Sequence, residues 1–191
     1  MIRIVLCALL LLSTNLAMTQ NKKWVVAVDG SGDFVTVQAA IDALPAPTDQ
    51  AITVYIKKGI YKERLIIPKT VSNVRFIGED EQSTLISFDN YNAKIDADGK
   101  TFGTSGSASV FVEGDHISFE HITFENSSGP VGQAVAVNVT GNKVAFKNCR
   151  FLGFQDTLYT IHQRHDQLTV LQRLLHRRHS RFYFWRRDRA I

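Results

Sequence analysis

The sequence predicts an all-β chain wound as a parallel β-helix, with one short helix near its start. Three observations predict it. Seven apolar positions recur 27 residues apart: Ala108, Val110 and Val112 return as Val135, Val137 and Val139, and Ile117, Phe119, Ile122 and Phe124 return as Val144, Phe146, Cys149 and Phe151. Within each unit the apolar residues alternate over short runs, the period of strands rather than helices. No α/β pattern appears after residue 45. A unit of this size holds about three strands and cannot bury its inner face alone, so stacked coils must supply the core. A leucine-rich repeat would need a dense leucine lattice with a fixed asparagine, which is absent. A β-sandwich is the alternative that alternating strands leave open.

Taken in order, Arg3 is followed by the apolar run Ile4 to Leu12 and the small, polar exit Ser13 to Ala17. This is the pattern of a secretory signal, too short to span a bilayer, with cleavage expected between Ala17 and Gln20. Residues 1–19 are therefore assigned to a signal. Trp24 to Val28 is a strand and Asp29-Gly30-Ser31-Gly32-Asp33 a turn. Thr36 can cap a helix through Ala39, Ala40 and Ile41 that stops before Pro45. Strands are expected over 52–56, 64–67, 74–77 and 84–88. Residues 89–107 have no period and are rich in Asp, Gly, Thr and Ser, which predicts a long loop of the kind that often carries function.

The 191 residues are 45% hydrophobic and 21% charged, as suits a globular domain rather than a disordered one. The net charge of +4 is unevenly placed. Residues 161–191 hold eight Arg against two Asp and no Lys or Glu, while residues 1–160 carry fourteen basic and sixteen acidic side chains. Once the signal and Cys7 are gone, Cys149 stands alone, so no internal disulfide, zinc or redox motif is available, and a buried thiol is expected. Asn126-Ser127-Ser128 and Asn138-Val139-Thr140 match the N-glycosylation pattern.

Four stretches carry a resemblance. They are Val28-Asp29-Gly30-Ser31-Gly32-Asp33-Phe34 with Val37-Gln38-Ala39-Ala40-Ile41; Gly59-Ile60-Tyr61-Lys62-Glu63; Ile122 to Ser127 leading to Gly132-Gln133-Ala134-Val135-Ala136; and Phe151-Leu152-Gly153-Phe154-Gln155-Asp156-Thr157-Leu158-Tyr159. In this order, from about residue 24 to 160, they resemble the pectin methylesterase (pectinesterase) family. The resemblance implies a right-handed parallel β-helix over residues 20–160, here truncated. It also implies hydrolysis of the methyl esters of polygalacturonate with release of methanol, and no metal or organic cofactor. The implied partner is methyl-esterified pectin. A secreted monomer is expected, in the cell wall or a bacterial periplasm, with no nucleic acid partner and no membrane attachment after signal cleavage.

Ester hydrolysis of this kind needs a nucleophile, an acid for the leaving alcohol and donors for the oxyanion. By resemblance, Asp156 matches the general acid/base, and Gln155 and Gln133 match the amide donors. Gln133 and Thr104 would also touch the sugar chain. Alone, Gln133 would be a solenoid ladder residue and Gln155-Asp156-Thr157 a plain turn. The stretch Gly103 to Ala108 matches more loosely, and for Thr104 a structural role stays open. Phe34, Tyr55 and the other aromatics are expected in the core. A pectate lyase would want a carboxylate cluster for calcium, and a polygalacturonase several acids at one site; neither pattern is present.

The family continues with Cys-Tyr-Ile-Glu-Gly-Thr-Val-Asp-Phe-Ile-Phe-Gly, whose Asp is the nucleophile. Residues 161–191 lack it, and Arg177-Arg178-His179-Ser180-Arg181 and Trp185-Arg186-Arg187 are not expected to fit a coil. Reading synonymous codons from each second base recovers it. Leu174 to Arg178 yield Cys, Tyr, Ile, Glu and Gly, and His179 to Trp185 yield Thr, Val, Asp, Phe, Ile, Phe and Gly. The tail therefore reads as a displaced frame, arising from an insertion or deletion near Thr160, with the nucleophile's codon across those of Arg181 and Phe182. The alternatives are a basic extension that binds acidic polymers, and a β-helix that binds pectin without catalysis.

Overall fold

The computed structural model describes residues 23–45, 51–162, 168–173, 175–176 and 182–186; the predicted signal lies outside them. Among the described residues no helix is long and apolar enough to cross a membrane.

Strand β1 (Lys23–Val26) leads into helix α1 (Val37–Asp42), and among the described residues five coils follow. The first coil is β2 (Ile52–Ile56), β3 (Gly59–Lys62) and β4 (Leu65–Ile67). The second is β5 (Ser72–Gly78), β6 (Thr84–Phe88) and, past the long loop, β7 (Val110–Val112). The third is β8 (Asp115–Glu120), β9 (Thr123–Asn126) and β10 (Val137–Val139). The fourth is β11 (Val144–Lys147), β12 (Arg150–Leu152) and β13 (Leu158–His162), and the fifth is β14 (Thr169–Gln172), β15 (Leu175–His176) and β16 (Phe182–Arg186).

All strand pairs are parallel, and they build three sheets that run the length of the coil stack: β1-β2-β5-β8-β11-β14, β3-β6-β9-β12-β15 and β4-β7-β10-β13-β16. The 27-residue repeat is the register itself, since Val110 lies opposite Val137, Phe119 opposite Phe146 and Phe124 opposite Phe151. The sandwich alternative is thereby excluded.

Helix α1 forms where expected. Thr36 Oγ1 accepts from the Ala39 N–H at 3.2 Å, the usual first-turn cap. A second cap comes from far along the chain: the Glu63 carboxylate accepts from the N–H groups of Val37 and Gln38, each at 2.9 Å. The Gln38 side chain then brackets Ile66, accepting from its N–H at 2.8 Å and donating to its carbonyl at 3.2 Å. A glutamine thus stands in for a neighbouring strand on β4, whose backbone groups would otherwise be unpaired on that side. In the turn before α1, a Cβ on Gly32 would lie 2.5 Å from the Val25 carbonyl oxygen, so only glycine allows that close approach.

The inner faces form one core with a phenylalanine stack along its axis. Phe76, Phe119 and Phe146 stack at 5.2 and 5.0 Å, and Phe124 stacks on Phe151 at 5.6 Å. Cys149 is buried, and burial pushes its thiol up to about 12. It stays protonated and inert near neutral pH. Phe34 borders this core against Trp24 at 5.3 Å.

Three expectations are corrected. The 89–107 loop is not without structure: it contains helix α2 (Gly103–Gly106) and an antiparallel bridge between Ile95 and Thr101. Trp185 and Arg186, expected to fit no coil, lie in β16, and β13 extends to His162. Parallel pairing uses backbone groups and so accepts basic side chains that a repeat pattern would not anticipate. Phe154 is 39% exposed rather than core, because it sits in a turn between sheets.

Candidate active site

Each coil turns from the second sheet into the third through a loop, and the candidate residues cluster on those loops. Gln133 lies four residues before β10, and Gln155 and Asp156 lie just before β13. These two loops sit one above the other. Gln155 O accepts from the Ala134 N–H at 3.4 Å, and Thr157 O accepts from the Ala136 N–H at 2.9 Å. The long loop of the second coil brings in Thr104, whose hydroxyl donates to Gln133 Oε1 at 2.5 Å. Thr104 therefore stands beside Gln133, with Gln155-Asp156 one coil further on.

With its oxygen engaged by Thr104, the Gln133 amide has its N–H groups left to donate elsewhere. Gln155 is exposed, whereas Asp156 is 4% exposed. Asp156 also has φ +53°, in the left-handed region. Other left-handed residues recur once per coil, as His116 with Lys143 and His121 with Asn148, and so mark corners of the solenoid. Asp156 has no such counterpart one coil before it, and backbone strain of this kind concentrates at functional positions.

Asn92 was not visible in the sequence. Its N–H donates to Gln133 O at 2.9 Å, its carbonyl accepts from Gly103 N at 2.9 Å, and its Nδ2 is 3.5 Å from Gln133 Oε1. One residue thus ties the Gln133 loop to the segment that carries Thr104. It lies in the non-periodic loop, where neither spacing nor motif could single it out. Gly132 is required beside it: φ is +133°, and a Cβ there would lie 2.9 Å from Asn92 Oδ1.

Asn126 underlies the same loops. It is 1% exposed, and its Nδ2 lies 2.8, 3.2 and 2.9 Å from the carbonyl oxygens of Asn90, Ser107 and Val135. Asn138 is 7% exposed and donates to Ser105 O at 3.1 Å. Both sequon asparagines are therefore structural ties between coils. The folded, soluble chain secreted by a glycosylating host is expected to show unmodified Asn126 and Asn138 by peptide mass mapping; a glycan on Asn126 in folded protein would contradict this packing.

A cleft of about 340 Å³ opens beside the Gln155 turn, bordered by Glu125, Ser127, Gly129, Gly153 and Phe154. Among the described residues no group of three or more His, Cys, Asp or Glu is placed to hold a metal ion.

Comparison with known proteins decides the family: the pectinesterase family model matches residues 23–168. The chain belongs to the pectinesterase family. It is 42% identical over 142 residues to Pectinesterase 31 of Arabidopsis thaliana, covering 72% of this chain and 45% of that protein. It is 44% identical over 137 residues to Pectinesterase 4 of the same plant, covering 71% and 23%. The chain thus spans less than half the length of these pectinesterase relatives. Among solved structures, it superposes on the pectin methylesterase from carrot with a TM-score of 0.65 at 32% identity, covering 83% of this chain and 51% of that one. It superposes on pectin methylesterase PemA from Erwinia chrysanthemi with a TM-score of 0.71 at 26% identity, covering 84% and 50%. The fold is the right-handed parallel β-helix of these pectinesterases.

Proposed function

We propose that this site serves hydrolysis of the methyl esters of pectin, and that the chain as written binds pectin without turning it over. The observation that carries the reading is the convergence of Thr104 and Gln133 with Gln155-Asp156 on adjacent coils of a pectinesterase fold. In this reading the Gln133 and Gln155 amides donate to the oxyanion of the tetrahedral intermediate. Asp156 gives a proton to the departing methanol and then takes one from the attacking water. Thr104 orients Gln133 and meets the sugar chain.

The reaction also needs a nucleophilic carboxylate, and we infer that the displaced frame over 161–191 has removed it. Support comes from register. The nucleophile's codon falls across Arg181 and Phe182, and Phe182 stands opposite Leu158, two residues beyond Asp156. In frame, an aspartate at that point would enter β16 beside the Asp156 turn. Secretion through the N-terminal signal fits an extracellular polymer as substrate.

Calorimetry of the 191-residue chain with a methyl-esterified hexagalacturonate tests the reading. Binding without methanol release is expected, and Gln133→Ala weakens binding about tenfold through loss of an oriented amide. Failure to bind any galacturonate oligomer would overturn the pectin assignment, and unchanged binding by the variant would remove Gln133 from the site.

A further inference from the structure

Arg64 is a cation that the site described above does not use. It directly precedes β4, where Leu65 lies opposite Val110, Val110 opposite Val137, and Val137 opposite Leu158. Arg64 therefore holds in the first coil the place that Thr157, next to Asp156, holds in the fourth. At 4.7–4.9 Å between parallel strands, three coils separate them by roughly 14 Å along the stack.

The guanidinium is held in place by rings. It lies 4.5 Å from the Phe111 ring centroid and 5.9 Å from that of Phe102. Phe111 is half-buried between fully buried Val110 and Val112, so its ring, and the guanidinium over it, are on the outer face of the third sheet. Phe102 adjoins α2, which carries Thr104 and through it Gln133. The cation thus meets the loop that carries Thr104 to the candidate site.

Arg64 also lacks a counter-ion. Among the described residues its Nε is buried with no hydrogen-bond partner, and no carboxylate lies within ion-pair distance. Arg75, by contrast, pairs with Glu120 at 2.9 Å, and Lys62 and Lys94 both pair with Asp89. Burial lowers the Arg64 pKa from the ordinary arginine value, yet an arginine stays charged. A desolvated, pre-oriented guanidinium is matched by a planar carboxylate that accepts two parallel hydrogen bonds, and a methyl ester offers neither the charge nor the second strong acceptor.

We propose that Arg64 is a subsite that reads the free carboxylate of an acidic sugar, two or three coils from the ester at Gln133. The inference rests on the pectin reading above. It makes the chain selective for partly de-esterified polymer: an ester at Gln133, an acid at Arg64.

The test is calorimetry of the full 191-residue chain with two probes, hexagalacturonate as the free acid and the same hexamer fully methyl-esterified. The chain is expected to bind the acid about tenfold tighter. Arg64→Gln, which keeps a polar side chain and removes the charge, abolishes that preference and leaves affinity for the ester unchanged; Arg64→Lys keeps part of it. Gln133→Ala weakens both probes equally. Retention of the preference in Arg64→Gln overturns the subsite. Loss of the preference there with no effect of Gln133→Ala overturns the Gln133 assignment and keeps the subsite. If the chain binds neither probe, both readings fail. Should Arg64→Gln melt early, the unaltered chain decides by NMR: its Arg64 Nε–H resonance shifts on titration with the acid and not with the ester, and no shift with the acid overturns the proposal.

Discussion

On the proposed frame displacement over 161–191, a frame-corrected gene is expected to yield an esterase that releases methanol at least about a thousandfold faster than the chain as written. The expectation follows from how nucleophilic catalysis fails. In the proposed reading Asp156 supplies and accepts protons and Gln133 and Gln155 stabilise an oxyanion, and without an attacking carboxylate there is no covalent step for them to assist. Groups that act as one unit lose nearly everything when one is missing, and removing a nucleophile alone costs many orders of magnitude. Register adds weight to the frame argument. Strand β16 pairs with β13 from Leu158↔Phe182 through His162↔Arg186, so the backbone of the chain as written already occupies the coil position next to the Asp156 turn. The measurement is methanol release from esterified pectin at equal protein concentration, for the 191-residue product and for the product of a gene corrected by one or two bases near the Thr160 codon. In the corrected product, Asp156→Asn should return release to background. Family-level turnover by the uncorrected chain would refute the proposal. A frame that stands in both genomic DNA and transcript would leave a natural pectin binder.

The parts of the molecule legible in the sequence are those set by repetition. A coil must place an apolar side chain at the same inward point on each circuit, so the 27-residue spacing of Phe119 with Phe146 announced both strand and register. The helix at Val37–Asp42 was legible because its Thr36 cap is local. Its second cap, Glu63, was not, since a carboxylate 26 residues away meets the helix only after the first coil has closed. The same limit applies at the site. Gln133, Gln155 and Asp156 were singled out through motifs, whereas the contacts of Asn92 with Gln133 and of Arg64 with Phe102 run between loops and coils that have no sequence period. The glycosylation pattern is local in the opposite sense: three residues read alone say nothing of burial, and Asn126 spends its amide on carbonyls from three other segments.

Phe119→Ala is expected to be the most damaging core substitution, at about 3–5 kcal/mol. Phe119 stacks on Phe76 at 5.2 Å and on Phe146 at 5.0 Å, and meets the edge of Phe124 at 5.3 Å. Its ring therefore joins the second, third and fourth coils and two of the three sheets. Phe76 makes only the first of these ring contacts among the described residues, so Phe76→Ala should cost less. In a solenoid each coil is stabilised mainly by its neighbours. A cavity in the middle coil thus weakens two interfaces at once, and unfolding should lose cooperativity as well as midpoint. A domain of this size has about 5–15 kcal/mol in total, and each kcal/mol moves the melting temperature by about 2–4 °C. The expected fall is roughly 6–20 °C, read by circular dichroism with urea titration for the free energy. Phe154→Ala is the control: its exposed ring in a turn should change stability by no more than about 0.5 kcal/mol. A Phe119→Ala loss below about 1 kcal/mol would mean that the ring stack is not what couples the coils.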